Sequence, residues 1–187
     1  MIPVSATPPS LQQETFHAAQ GAWRLLIGRR DAPGYFDVSL RGLVSSFIAL
    51  FASIAVTLGA AALSQTGTGV SSFALVVTNA VLYAALVAAS WVVLQAVGKR
   101  EKFVPFLAVD NWLNAFISIV LALVGLVGLS GEMVMFAAIV AGLAARINNA
   151  RLVAELTVGQ IVMLMVAQVI GVFIGLAVLG LFIPVPV

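Results

Sequence analysis

Residues 42–98, GLVSSFIALFASIAVTLGAAALSQTGTGVSSFALVVTNAVLYAALVAASWVVLQAVG, contain no charged side chain. A helix needs about 20 apolar residues to cross a bilayer core, so this stretch is long enough for two spans. Its only polar interruption is Ser64-Gln65-Thr66-Gly67-Thr68-Gly69, a glycine-containing loop signal. The reading is therefore a pair of transmembrane helices over about 42–63 and 70–97, joined on the far side of the membrane.

The rest of the chain agrees. Of 187 residues, 62% are hydrophobic and 9% charged, and the mean hydropathy is +1.15. Soluble domains carry about 25% charged residues, and so few charges cannot coat a water-facing surface. Nine basic residues against seven acidic ones leave no basic stripe with interleaved aromatics, so nucleic acid is not expected as a partner. The absence of cysteine removes disulfides and thiolate chemistry. The one histidine, His17, stands apart from other metal-ligating types and is read as an interfacial polar residue. No metal or cofactor is expected.

Residues 1–40 read as a cytoplasmic segment without an apolar core fit for a signal peptide, so the first span is expected to drive insertion. After Pro8-Pro9, Ser10 and Gln13 have capping-box spacing, which predicts a helix over about 11–28 with Gly28 ending it. Phe16, Ala19, Trp23, Leu26 and Ile27 share one face, with Leu25 off it, and Arg24, Arg29 and Arg30 gather at the C-terminal end. Such a helix can lie in the headgroup plane and feel anionic lipid; the other reading packs it against this bundle or a partner. Pro33-Gly34 signals a turn, and Asp37 or Ser39 can cap the first span.

Beyond Lys99-Arg100-Glu101-Lys102, a third span runs over about 103–127, with Pro105 tolerated in its first turn. The turn Gly128-Leu129-Ser130-Gly131 precedes a fourth segment, about 131–148, whose uncharged run is only Met133–Ala145. It suffices for a crossing if Arg146 snorkels to the interface. A fifth span covers about 156–182, before Pro184 and Pro186. With five crossings all nine basic residues fall on one side and Glu132 on the other, as the positive-inside rule requires. The expected fold is an all-α bundle of five transmembrane helices, residues 41–187, preceded by an amphipathic interfacial helix. The N-terminus is expected inside and the C-terminus outside, in a bacterial inner membrane.

Helices in lipid associate through small residues that let backbones approach. Gly171 and Gly175 in the fifth span form a GxxxG, and Ala137, Ala141 and Ala145 repeat along the fourth. These faces serve either packing within the bundle, the preferred reading, or a homo-oligomer.

Asp110 is the one acid well inside a span, roughly 12 Å beyond Lys102 at about 1.5 Å per residue. Asn114 and Ser118 follow on its face, Asn111 and Trp112 flank it, and Gln95, Arg146, Asn148 or Asn149 could reach the same depth. An ionisable group there is a functional candidate: it either carries a proton, cation or polar substrate, or pairs with a basic side chain and locks the third span to the fourth. Structural pairing is preferred, because no span shows the mid-helix breaks common in transporters. Gln160 and Gln168 are read as interhelical hydrogen-bonding groups. No Gly-x-Ser-x-Gly, P-loop or His-Glu-x-x-His sequence occurs, so an enzyme is not expected.

The stretches Phe36-Asp37-Val38-Ser39-Leu40-Arg41-Gly42-Leu43-Val44-Ser45-Ser46-Phe47 and Phe103-Val104-Pro105-Phe106-Leu107-Ala108-Val109-Asp110-Asn111-Trp112 resemble bacterial, mainly alphaproteobacterial, membrane proteins. Those proteins are similar in layout to the Yip family of five-helix membrane proteins, which have a cytosolic N-terminus and a short exoplasmic tail. The resemblance implies five spans and a third span starting near Pro105. The Asp-Leu-Tyr-Gly-Pro motif of the eukaryotic members is missing, so a Rab-type partner is not implied, and the bacterial relatives carry no activity over. The expected role is a non-enzymatic scaffold or accessory subunit binding other membrane proteins. A small transporter or channel using Asp110 is the alternative, and a membrane anchor for a catalytic partner is a third.

Overall fold

The computed structural model describes residues 10–63, 72–127 and 132–182. The expected polar loop at 64–69, the turn at 128–131, and Pro8, Pro9, Pro184 and Pro186 lie outside the described residues. Six α-helices follow one another: α1 (Leu11–Leu26), α2 (Leu40–Leu63), α3 (Ser72–Ala96), α4 (Phe103–Leu126), α5 (Glu132–Leu152) and α6 (Val158–Phe182). Short 3-10 turns at Ala32–Tyr35 and Arg100–Lys102 complete the regular structure of the described residues. Helices α2 to α6 are each long and apolar enough to cross a membrane. The chain is an all-α membrane bundle with five candidate spans.

Local chemistry sets the helix ends. The Ser10 hydroxyl accepts from the Gln13 N–H while the Gln13 side chain accepts from the Ser10 N–H, the expected capping box of α1. Gly28 follows α1 in the left-handed region, φ 71°, where a Cβ is costly. The Ser39 hydroxyl accepts from the Gly42 N–H and opens α2. Thr157 and Gln160 form a second capping arrangement at the start of α6. Gln160 is thus a helix cap, not the interhelical group expected; the Thr-x-x-Gln spacing was the signal.

The fourth crossing is longer than its uncharged run. Helix α5 continues through Arg146–Arg151 to Leu152 because its polar residues find partners on neighbouring elements. Asn148 donates to the Leu25 carbonyl (2.7 Å) and Asn149 to the Phe106 carbonyl (3.1 Å). A hydrogen-bonded asparagine stays in a helix that an unpaired one would leave.

Helix α4 is the central element, with Phe106 to Leu113 all buried. Its most extensive contact is with α2. There the fully buried Ser46 and Ser53 return their hydroxyls to the Leu43 and Leu50 carbonyls (2.7 Å each), giving α2 a narrow face with its polar groups satisfied. Helix α5 lies antiparallel along α4: Gly142 meets Ile117, Arg146 meets Asn114, and Asn149 meets Phe106. Helix α3 pairs with α6 in the same sense, through Gln168 and Ser90 and through both glycines of the GxxxG. Contacts from α5 to α6 and from α3 to α4 are few.

The α6 glycines answer the packing question. A Cβ on Gly171 would stand 3.1 Å from the Ala85 carbonyl oxygen, and one on Gly175 would meet Leu82 and Ala85. This face is occupied within the chain, as the preferred reading held. The alanine repeat of α5 is only partly used: Ala145 is buried and Ala141 half-buried, but Ala137 faces outward. Gly142 and Asn149 take the inner positions instead, because α5 meets α4 along the line ending at the Asn149–Phe106 bond.

Helix α1 docks across one end of the bundle. Ala18 and Leu25 join Val109, Trp112, Leu113, Ala145 and Val153 in a single core. Gly21 faces Phe36, where a Cβ would stand 2.6 Å from the ring. The buried Glu14 accepts from the Ser45 hydroxyl and lies 3.9 Å from Arg41. Leu25, read as off the apolar face of Phe16 and Trp23, is wholly buried on the docked side. Phe16, Trp23 and Ile27 are exposed on the opposite face.

Candidate functional site: an intramembrane polar cluster beside a cleft

Successive residues of α4 aim at different neighbours, and this geometry sorts the expected cluster into two. Asp110 and Asn114, one turn apart, face α5. Asn114 donates to Asp110 Oδ2 (3.0 Å) and accepts from Arg146 Nη2 (2.7 Å), while Arg146 Nε lies 3.9 Å from Asp110 Oδ1. Asn114 is therefore the bridge of an Asp–Asn–Arg triad, and the charged pair does not meet at hydrogen-bond distance. The Asp110 side chain is 12% exposed and that of Arg146 30%. In a low-dielectric interior neither charge is tolerable alone, and the amide couples them.

Asn111 points elsewhere. It donates to the Ser46 hydroxyl of α2 (3.0 Å) and accepts from the Tyr83 hydroxyl of α3. Being fully buried, it ties three spans together. Ser118 is half-buried and takes no part in the triad. Gln95 is corrected: it is exposed, because Val93 and Leu94 take the inward positions of that turn of α3. Asn148 and Asn149 serve helix docking, not the triad. Gln168 donates to Ser90 (3.0 Å) across α3 and α6. Serines 46 and 90 were not anticipated, since a lone serine in an apolar run carries no signal of its partner.

The basic residues form a second layer. Lys102 pairs with Glu155 (2.6 Å), and Lys99 donates to the Glu155 and Ala154 carbonyls. The hydrogen bond and charge of Lys102, aided by Lys99, hold the Glu155 carboxyl below its ordinary range. Glu155 sits at φ 54°, uncommon for a residue with a side chain, and the lysines hold it there. Arg24 pairs with Asp31 and stacks over the Tyr35 ring at 4.5 Å. It is therefore engaged within its own segment, whereas Arg30 is exposed and Arg29 lies 3.7 Å from Asp31. Through these contacts the α1 docking site, the α3–α4 turn and the α5–α6 link share one end of the bundle.

Between α5 and α6 lies a cleft of about 410 Å³, floored by α4 and reaching α3. Asp110, Arg146 and Gln168 are its polar lining, and the remainder is apolar. No group of three metal-ligating side chains lies together among the described residues. Comparison with family models, with curated proteins and with solved structures found no match.

Proposed function

We propose that this protein is a non-enzymatic scaffold or accessory subunit of a membrane assembly. The observation that carries the reading is the use made of its intramembrane polar groups. Asn111, Asn114, Arg146, Asn149 and Gln168 make hydrogen bonds between helices, and Asp110 faces the Arg146 charge across α4 and α5; these contacts rigidify a bundle whose outer faces stay apolar. On α5 that outer face includes Met133, Phe136 and Ile139, surface open to lipid or to other membrane helices. Native purification in mild detergent followed by mass spectrometry tests the reading. Stable co-purifying membrane proteins or a homo-oligomer are expected; a protein that is always alone and monomeric overturns it.

A second reading, a small transporter or channel, draws on one specific observation: Asp110 lines the cleft instead of being sealed from it. Vesicles containing the protein would then show a flux that Asp110→Asn abolishes while the bundle stays folded. Flux unchanged by that substitution removes this reading.

The gathering of basic residues at one end supports a cytoplasmic N-terminus by the positive-inside rule; a bacterial inner membrane is the location proposed with it. The two quoted stretches carry the likeness to bacterial membrane proteins, and the likeness of those to the Yip family is one of five-span layout.

A further inference from the structure

The five spans divide into two bodies. In one, α4 packs against α2 and α5, and α1 docks on them. In the other, α3 and α6 are joined closely: Gly171 and Gly175 admit Ala85 and Leu82, and Gln168 donates to Ser90 (3.0 Å). Contacts between the bodies are few, and open space lies on both sides of the α3–α6 pair. On one side is the cleft against α5. On the other, a hollow of about 610 Å³ is lined by Tyr83, Val87 and Trp91 of α3 and Phe103 of α4.

The bodies meet at the basic end, where Leu94 of α3, Phe106 of α4, Ala150 of α5 and Ile161 of α6 share one core. The α3–α4 and α5–α6 links both run through that end. Each holds a residue in the left-handed region: Gly98 at φ 72°, with nothing within 4 Å of its Cβ position, and Glu155 at φ 54°. The Lys102–Glu155 pair (2.6 Å) and the bonds of Lys99 to the Glu155 and Ala154 carbonyls tie the two links to each other. Hinges are a few residues at element ends that absorb backbone rotation, and here two such links are fastened together.

Farther into the membrane, Tyr83 reaches from α3 to the other body. Its hydroxyl donates to Asn111 of α4, and its ring stands edge-on to Phe47 of α2. Tyr83 lies roughly 20 Å along α3 from the helix end at Ala96, at about 1.5 Å per residue. One hydrogen bond at that distance opposes a tilt with a long lever.

We propose that α3 and α6 tilt as one rigid pair about the basic end, and that the Tyr83–Asn111 hydrogen bond latches the pair against α4. Release tips the far ends of α3 and α6 away and widens the cleft beside Asp110. The device goes beyond the scaffold reading and does not depend on it, since an accessory subunit and a transporter can both be built from two hinged bodies.

Because the chain has no cysteine, spin labels can be placed in pairs on the full chain in lipid nanodiscs and their separations read by double electron–electron resonance. Phe136→Cys with Leu181→Cys spans the two bodies at the far end. Phe73→Cys with Leu181→Cys lies within the pair, and Val92→Cys with Ile147→Cys spans the bodies near the pivot; all these side chains are exposed. A tilt of about 10° moves the far end of the 25-residue α6 by about 6 Å, at about 1.5 Å rise per residue.

Tyr83→Phe removes the hydroxyl and keeps the ring against Phe47. It should lengthen the far-end separation between the bodies by about 6 Å, while the other two stay within about 2 Å. Val172→Trp, on the cleft wall of α6, should do the same by wedging α6 from α5, and it carries the test if Tyr83→Phe does not fold. A far-end separation unchanged in both variants overturns the hinge, and one unchanged in Tyr83→Phe alone overturns the latch. Equal change in all three separations overturns the rigid pair.

Discussion

Gly171 of α6 lies so close to Ala85 of α3 that a Cβ on the glycine would stand 3.1 Å from the alanine carbonyl oxygen. The obstacle is backbone and cannot swing aside. Gly171→Leu is therefore expected to part α3 from α6 at a cost of roughly 1–3 kcal/mol, the usual penalty of overpacking. Gly180, with open space around its Cβ position, should accept leucine with little effect. Thermal unfolding in detergent distinguishes the two; equal midpoints would contradict the α3–α6 packing.

The Asp110–Asn114–Arg146 triad predicts strong coupling. Asp110→Asn or Arg146→Gln leaves its partner charge uncompensated. Each should cost roughly 1–3 kcal/mol, below the range for fully buried pairs because Arg146 is 30% exposed. The double variant should cost less than the two single effects added. A double-mutant cycle checks this, and simple additivity would mean that the triad does not act as a unit.

Acid should loosen the link between α5 and α6. The Glu155 carboxyl titrates below its ordinary value of 4.5 because Lys102 bonds it and Lys102 and Lys99 attract its charge. A lowered folded value contributes stability that is complete above the ordinary pKa and is lost as pH falls through the lowered one. Hydrogen exchange at residues 153–157, corrected for intrinsic rates, should be flat at pH values above the ordinary 4.5 and should rise as pH falls through the lowered value. Glu155→Gln should show no such rise.

Helix α1 has two faces, so two measurements separate them. Gly21→Leu forces apart α1 and the Phe36 ring, 2.6 Å from the Cβ position, and should expose α1 to protease. Trp23, 63% exposed on the other face, should be quenched by lipids brominated near the headgroup more than by lipids brominated at the chain end. The reverse order would remove the interfacial role of Phe16 and Trp23.

Orientation is open to direct labelling because the chain has no cysteine. In intact cells, an impermeant thiol reagent should reach Glu132→Cys and not Glu101→Cys. The opposite pattern would place the N-terminus outside.

Number and length of spans were legible in the sequence because they depend on local properties: apolar length, charge position and capping residues. The boundaries fell within a few residues everywhere except in α5, whose last turn relies on Leu25 and Phe106 as partners for its asparagines. That Asp110 would meet a basic group was legible as one of two readings, with Arg146 among several candidates; that Asn114 bridges them was not. What the sequence could not decide was direction. In lipid a span is apolar on all sides, so no amphipathic stripe marks the inward face. Only the tertiary structure could turn Gln95 and Ala137 outward and Ser46 and Ser53 inward. The same packing parted Asn111 from its neighbour Asp110, sending one to α2 and α3 and the other to α5, and opened the cleft where α5 and α6 diverge.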